Sequence, residues 1–188
     1  EKEEKEEDSV SLVSSDIQSA KIDRIQRVLD AYYPPPVPVP LNHSTPYQFL
    51  CAVCLSAQST DVSVNKITAE LWKTAPTPEA TVKLQLAELE TIIQSLGLYR
   101  NKAKNLMALS KMILEEHQGQ IPSNKTELIA LPGVGNKTAS VYLSQMHGIP
   151  SMAVDTHVHR LSLRWGLTKE QKDPTKVQRD LEDLFPRE

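Results

Sequence analysis

The stretch LPGVGNKTASVYLSQMHGIPSMAVDTHVHR runs from Leu131 to Arg160. It combines a glycine-rich turn, a lysine just inside a helix and an aspartate eighteen residues after that lysine. Together these features offer a phosphate-binding turn, a potential amine nucleophile and a carboxylate partner within one helical unit. Most of the functional interpretation therefore rests on this stretch.

The turn itself has two interpretations. Gly133 and Gly135 bracket it, between a helix that ends near Ala130 and one that starts near Asn136. Glycine permits a positive φ and close approach of the backbone, so the N–H groups of residues 133–137 can point at a phosphate oxygen. Such contacts would grip DNA without reading its bases. Taken alone, the turn could equally be a simple connector between helices.

Lys137 and Asp155 each have a structural and a chemical interpretation. Lys137 lies off the apolar face of its helix, as a solvated surface lysine would. If a second domain covers it, the positive helix end and partial desolvation favour the neutral, nucleophilic amine. Asp155 is well placed as the N-cap of the amphipathic segment that follows it. Its carboxylate could also take the proton of Lys137 or stabilise a cationic sugar transition state.

The rest of the chain predicts an all-α protein of short helices. No run shows a convincing strand alternation, and breakers separate segments of helical periodicity. Before a proline-rich connector at 34–40, residues 17–33 form one amphipathic helix. The acidic residues 1–16 form a disordered tail, which is either a partner-binding arm or only a solubilising extension.

Beyond the connector, the sequence predicts a succession of helical segments separated by short breakers. Thr45 and Pro46 form an N-cap followed by proline at the first helical position. The other expected features are a cap at Ser59 or Thr60, a loop at Pro76 and Pro78, Gly97 in the C′ role after helix 86–96, a helix 102–117, and Ser123 as the cap of helix 126–130. The last segment, 173–188, has an apolar face with Val177, Leu181 and Leu184 that needs a partner.

Net charge neither supports nor excludes nucleic acid as a partner. The chain of 188 residues carries −3, but its first eight residues contain six acids and two lysines, which leaves about +1 on the remainder. Binding would then depend on a local basic stripe. Its candidates are Arg100, Lys102, Lys104, Lys111, Lys125, Lys137, Arg160 and Arg164, and each of them taken singly fits an ordinary solvated helix face.

The cysteines favour neither a metal nor a redox site. Cys51 and Cys54 have CxxC spacing, but a zinc site would want two more ligands, and small residues at i and i+3 fit the buried face of a helix. His157 and His159 stand two apart on one helix and point in different directions, so we treat neither as a metal ligand. We expect no metal site in this chain. No apolar run approaches the roughly 20 residues that span a bilayer.

The glycine turn, Lys137 and Asp155 together resemble the endonuclease III family of the helix-hairpin-helix, Gly/Pro-rich, aspartate (HhH-GPD) superfamily of DNA glycosylases. The resemblance covers about Ile22 to Phe185. Besides LPGVGNKTA and VDTHVHR, it is carried by LSAQSTDVSVNK (Leu55 to Lys66) and GLYRNKAKN (Gly97 to Asn105). It implies two helical domains with a DNA cleft between them. The six-helix barrel would span 41–149, and the helix 17–33 would join 150–188 in a second, incomplete domain.

The resemblance also implies roles for single residues. Lys137 would attack the sugar C1′, expel the damaged base and form a Schiff base, after which β-elimination nicks the strand. Adenine-excising relatives have serine there, so a lysine favours a bifunctional glycosylase and lyase. Asp155 would be the catalytic aspartate. Since the target base must leave the stack, Gln58 and Leu98 would fill the gap and wedge the duplex. The other expected DNA-binding positions are Gly133, Val134, Gly135, Thr138, His157 and Arg160.

The implied enzyme is a base-excision repair glycosylase and abasic-site lyase acting on oxidised pyrimidines. We expect it to be a monomer that acts on damaged double-stranded DNA in an intracellular, DNA-containing compartment, without a membrane partner. Two alternatives stay open, a non-catalytic helix-hairpin-helix module and a glycosylase of different base specificity. The family commonly carries a [4Fe-4S] cluster on four cysteines near the C-terminus, and those ligands are absent here. Either the full protein continues into a cluster loop, or it is a cluster-free variant.

Overall fold

The computed structural model describes the backbone of residues 2–34 and 39–185, and the side chains of these ranges from residue 17 onward. The described residues form ten α-helices and contain no β-strand, which confirms the all-α prediction. In chain order the helices are α1 (Lys2–Tyr32), α2 (Pro46–Ser56), α3 (Asp61–Thr74), α4 (Pro78–Lys83), α5 (Leu86–Ile93), α6 (Tyr99–Glu116), α7 (Lys125–Ala130), α8 (Asn136–His147), α9 (Thr156–Arg164) and α10 (Pro174–Leu184).

Local capping explains several of these helix starts. The Thr45 side chain accepts a hydrogen bond from the N–H of Gln48, and Pro46 occupies the first turn of α2. Thr60, one of the two expected candidates, caps α3 in the same way. A threonine cap satisfies an N–H that has no acceptor within the helix. Both starts therefore follow from the sequence.

Three local predictions were wrong. The expected loop at Pro76 and Pro78 contains α4, because Thr77 accepts from the N–H of Ala80 and Pro78 fits the first turn. Residues 41–149 thus hold seven helices rather than six. Asn124, not Ser123, caps α7. Because α5 already ends at Ile93, Gly97 cannot take the C′ role.

The left-handed backbone at this point belongs to the next residue, Leu98, with φ 58° and ψ 27°. Leu98 is the N-cap of α6, so this helix begins at Tyr99 and not at Lys102 as expected.

The N-terminal helix is longer than predicted. We expected α1 to begin at residue 17, but it extends back to Lys2. Glutamate and lysine are good helix formers, and they make up residues 2–7, the first part of this segment. The side chains of the predicted disordered tail, 1–16, lie outside the described residues, as does most of the proline-rich connector at 34–40.

Among the residues whose side chains are described, the buried apolar side chains form two separate hydrophobic clusters. The larger one contains apolar side chains from Leu41 to Leu143, with Phe49, Leu109 and Tyr142 nearly inaccessible. Within it α4 and α5 pack on α6, while α2 packs on α3 and α8. The smaller one joins residues that are far apart in sequence, namely Ile22, Val154, Leu167, Val177 and Leu181. Helix α1 therefore packs with the part of the chain between Val154 and Leu181.

Candidate active site

The glycine turn joins α7 to α8 and lies against α6. Gly133 has φ +80°, and a Cβ atom built there would lie 3.0 Å from Cβ of Asn105. Gly135 is the N-cap of α8 and provides no side-chain cap. The first N–H groups of a helix have no acceptor within it, and the helix dipole favours an anion there. The first N–H groups of α8 therefore have no side-chain cap, and phosphate binding there stays a prediction.

Val134 differs from its neighbours in this turn. Its side chain is 5% exposed and belongs to the larger hydrophobic cluster. Its N–H donates to the carbonyl of Leu131 at 3.1 Å, which closes the turn. Val134 thus anchors the turn from inside, and the DNA contact expected of it stays a prediction.

Asp155 uses its two oxygens for two purposes. Oδ1 accepts hydrogen bonds from the N–H groups of His157 and Val158, both at 2.9 Å, and so caps α9. Oδ2 lies 3.2 Å from Nζ of Lys137. The structural interpretation of Asp155 as an N-cap is confirmed. The geometry also leaves one carboxylate oxygen facing the amine.

The environment of Asp155 keeps the carboxylate ionised. Partial burial by itself raises the pKa of this carboxyl, but the N–H groups of Val158 and His157 and the ammonium of Lys137 outweigh it. The net pKa lies below the ordinary value for aspartate. At neutral pH Asp155 is consequently a carboxylate.

Lys137 lies in the first turn of α8 with its side chain 55% exposed. The described residues do not cover it, so the desolvated environment considered from the sequence is not formed by the protein alone. A neighbouring hydrogen bond joins the start of α8 to α10, since Asn136 Nδ2 donates to Oγ1 of Thr175 at 3.3 Å. The lysine is thus fixed beside Asp155 yet accessible to a ligand.

Gln58 and Leu98 share an unusual backbone conformation. Both have positive φ, 55° and 58°, and both are exposed. A positive φ is costly for residues other than glycine, and such strain tends to occur at functional positions. Their loops are neighbours, since a Cβ atom on Gly97 would lie 3.8 Å from the carbonyl oxygen of Gln58. Gln118, also at φ 55°, lies before Gly119 at the end of α6 and has no predicted role.

The remaining predicted positions lie around the first turns of α8 and α9. His157 and Arg160 are exposed, and Nη2 of Arg160 lies 3.4 Å from Nδ1 of His157. Thr138 follows Lys137 and is half-buried. His159 is held away from them, because its Nε2 lies 2.9 Å from the carbonyl of Glu170.

The predicted basic stripe loses one member. Lys102 is only 9% exposed, so it does not belong to a solvated helix face. Its Nζ donates to the carbonyl of Leu55 and to Oγ of Ser59. The sequence analysis missed this placement, although Lys102 lies on the same helical face as Leu106, Leu109 and Ile113. The spacing of these four residues along the helix indicates that Lys102 is buried with the apolar ones.

The two cysteines are packing residues of α2. Cys51 is inaccessible and Cys54 is half-buried. Burial raises the pKa of both thiols, that of Cys54 to about 12. Thiolates, which bind metals and attack disulfides, are therefore disfavoured here. Across residues 17–34 and 39–185, no three His, Cys, Asp or Glu side chains lie together as a metal site would require.

Residues 51–187 match the family described as HhH-GPD superfamily base excision DNA repair protein. The chain is also 46% identical over 148 residues to endonuclease III of Bacillus subtilis, a match that covers 79% of this chain and 68% of that one. The chain belongs to the endonuclease III family of the HhH-GPD superfamily. Endonuclease III of Escherichia coli is 48% identical over 124 residues, which cover 66% of this chain and 59% of that protein. The chain thus spans roughly three fifths to two thirds of the length of these two relatives.

Solved structures of the endonuclease III family share the fold closely. One, described as a trapped endonuclease III–DNA covalent intermediate with an estranged adenine, has a TM-score of 0.85 at 39% identity, covering 90% of this chain and 79% of that one. A non-covalent endonuclease III–DNA complex gives 0.84. A thermostable thymine-DNA glycosylase, at 20% identity and a TM-score of 0.78, shows the fold alone.

The cysteines present do not fit the family's iron–sulfur cluster. A [4Fe-4S] centre takes four thiolates, whereas this sequence contains two cysteines, and both pack within α2.

No helix in the described part of the chain combines the length and the apolar character that crossing a membrane requires.

Proposed function

We propose that this chain is a bifunctional DNA glycosylase and abasic-site lyase that removes oxidised pyrimidines from double-stranded DNA. The observation that carries the proposal is the 3.2 Å approach of Lys137 Nζ to Asp155 Oδ2 at the open N-terminus of α8. Membership of the endonuclease III family supports the substrate class. The enzyme would act as a monomer in an intracellular compartment that contains DNA.

DNA would first be held by its backbone. The N–H groups at the start of α8 can bind a phosphate oxygen, and the glycines leave no side chain in the way. Phosphate contacts position a duplex without reading its sequence. His157 and Arg160, exposed on α9, would add polar and charged contacts to the same strand.

The target nucleotide would then leave the helix. A base within the stack keeps its sugar C1′ out of reach of Lys137, so the nucleotide must be extruded and the gap filled. Gln58 and Leu98 project from adjacent loops and are suited to this role, Leu98 with 60% of its surface exposed. An amide can hydrogen-bond the orphaned partner base, and a leucine can replace lost stacking with apolar contact.

DNA closing over the ion pair would start the chemistry. Removal of water disfavours separate charges, so the proton moves from the ammonium of Lys137 to Asp155 Oδ2 and leaves both groups neutral. The free amine attacks C1′ while the bond between C1′ and the base nitrogen breaks. The base departs with the bonding electrons and takes up the proton that Asp155 held. Oδ2 is then a carboxylate again and would stabilise the positive charge that develops on the sugar and the attached amine.

The covalent sugar then breaks the strand. Opening of the sugar ring gives a Schiff base between C1′ and Nζ of Lys137. Loss of a proton from C2′ expels the 3′ phosphate oxygen from C3′, which is β-elimination. Hydrolysis of the Schiff base returns the amine. The amine of Lys137 is the nucleophile in base release, and the Schiff base that it forms is the electron sink in β-elimination, so glycosylase and lyase activities depend on one residue.

Base release and strand nicking on a duplex with one oxidised thymine test the proposal. The parent should release the base and nick the strand in equal amounts, whereas Lys137→Ala should do neither. Lys73→Ala is a matched control, since Lys73 is likewise exposed and ion-paired, to Glu70 at 2.9 Å. Activity on an abasic site without base release would indicate a different lesion preference. A folded parent that binds DNA but is inactive on both substrates would leave only a binding module.

A further inference from the structure

Lys102 is the buried cation that the proposed reaction does not use. It lies on α6 four residues after Leu98, and it is 9% exposed. Its Nζ donates to the carbonyl of Leu55 at 3.0 Å and to Oγ of Ser59 at 2.8 Å. These two acceptors lie on either side of Gln58 in the sequence. The ammonium thus spans the base of the loop that carries Gln58.

The same residue also holds the second loop. The backbone N–H of Lys102 donates to the carbonyl of Leu98 at 3.0 Å, in the first turn of α6. Gly97 lies against the carbonyl of Gln58. One residue is therefore bonded to both loops that would enter the DNA, through its backbone to Leu98 and through its side chain to the residues around Gln58.

An ammonium at this position is costly. Burial disfavours its charged form and lowers the pKa of Lys102. The surrounding face of α6 is apolar, with Ala103 and Leu106 buried beside it. A methionine would pack there without a charge to desolvate. The hydrogen bonds of Lys102 are thus the feature that an apolar side chain could not supply.

Both loops need such support. Gln58 and Leu98 are held at positive φ, a conformation that leucine and glutamine adopt rarely. Strained backbone persists only where the surrounding structure determines it. The hydrogen bonds from the buried ammonium of Lys102 to the carbonyl of Leu55 and to Oγ of Ser59 hold the backbone around Gln58 in this conformation.

We propose that Lys102 is a positioning residue that holds Gln58 and Leu98 as one preformed wedge for base extrusion. This inference rests on the proposed function. Lys102 would not contact DNA, and it would act on the opening of the duplex rather than on the chemistry of Lys137.

The test compares substrates that do and do not require a wedge. Lys102→Met removes the ammonium and keeps the length of the side chain. Single-turnover excision from an oxidised-thymine duplex should fall about 10- to 100-fold, the range for loss of a hydrogen bond to a charged group. Borohydride trapping on an abasic site in single-stranded DNA should stay within about twofold of the parent, since no opposing strand must be opened.

A second measurement reports base extrusion itself. With 2-aminopurine beside an uncleavable abasic analogue in a duplex, the parent should raise the fluorescence as the helix opens. Lys102→Met should give a smaller rise. Ser59→Ala, which removes one acceptor and leaves the buried charge paired with Leu55, should give an intermediate value in a fully folded protein.

A double-mutant comparison separates positioning from general stability. In a Gln58→Ala, Leu98→Ala background there is no wedge to position, so adding Lys102→Met should have no further effect on duplex excision. Equal losses on both substrates, additive losses in that background, or parent-like excision by both Lys102→Met and Ser59→Ala would each overturn the inference. A parent that traps on neither substrate would remove the proposed function, and this inference with it.

Discussion

Lys137 and Asp155 meet through one carboxylate oxygen: Nζ lies 3.2 Å from Oδ2, while Oδ1 accepts two backbone N–H groups of α9. The cap therefore orients the carboxylate without occupying the oxygen that faces the amine. The two roles considered for Asp155 are compatible because they use different atoms. In the proposed reaction, the helix cap would therefore orient the catalytic carboxylate.

Substitution of Asp155 by asparagine and by alanine should separate these roles. Asparagine caps helices about as well as aspartate, whereas alanine should lower the free energy of unfolding by about 1 kcal/mol. Both should slow base excision by about 10²- to 10⁴-fold, the usual contribution of a positioned acid or base. Denaturant unfolding and single-turnover excision measure the two effects. Full excision by Asp155→Asn would contradict a role for the charge.

Acid should weaken the fold through Asp155 in a defined window. Because the folded-state pKa of this carboxyl is depressed, its contribution to stability is present above the unfolded value and is lost as pH falls through the folded one. The difference in unfolding free energy between the parent and Asp155→Asn should be constant from pH 8 to 5. It should shrink below about pH 4, near the unperturbed pKa of aspartate. A difference that already changes between pH 7 and 6 would refute this assignment.

The two glycines of the turn should respond differently to alanine. At Gly133 the positive φ and the 3.0 Å approach to Asn105 predict a loss of about 1–3 kcal/mol in unfolding free energy. At Gly135 nothing lies within 4 Å of the added Cβ, so stability should stay within about 0.5 kcal/mol. If α8 binds phosphate through its first N–H groups, Gly135→Ala should still weaken binding to duplex DNA. Unchanged affinity in a salt titration would place the phosphate elsewhere.

Substitutions of Leu98 should affect stability and activity differently. Glycine relieves the left-handed strain that alanine retains, so Leu98→Gly should be about 0.5–1 kcal/mol more stable than Leu98→Ala. Both lack the exposed leucine side chain and should be similarly slow in excision from duplex DNA. Thermal unfolding and excision assays on the two variants check this. Faster excision by either variant than by the parent would argue against a wedge at Leu98.

The sequence predicted those parts of the fold that depend on local chemistry. Thr45 and Pro46 predict a helix start, because the N-cap hydrogen bond and the proline both act within the first turn. Thr77 and Pro78 carry the same signature, so α4 was equally predictable from it. The cap at Asp155 is local in the same sense.

Features that depend on tertiary contacts could not be predicted in this way. Gly97 is the obvious residue for a positive φ, yet Leu98 adopts it as the residue from which α6 starts. That Oδ1 of Asp155 caps α9 while Oδ2 faces Lys137 depends on α8 lying beside α9, which is a tertiary contact. Lys102 is intermediate, since its position on an apolar face indicates burial but not its partners. The predicted domain boundaries stay a proposal, which the two hydrophobic clusters support.

The central claim is that the amine of Lys137 forms the covalent bond to the sugar. The most direct test reduces the enzyme with borohydride on abasic duplex DNA, digests the complex and locates the sugar remnant by mass spectrometry. We predict the remnant on Lys137, with no complex formed by Lys137→Ala and normal trapping by Lys73→Ala. A remnant on another lysine, or undiminished trapping by Lys137→Ala, would contradict the account.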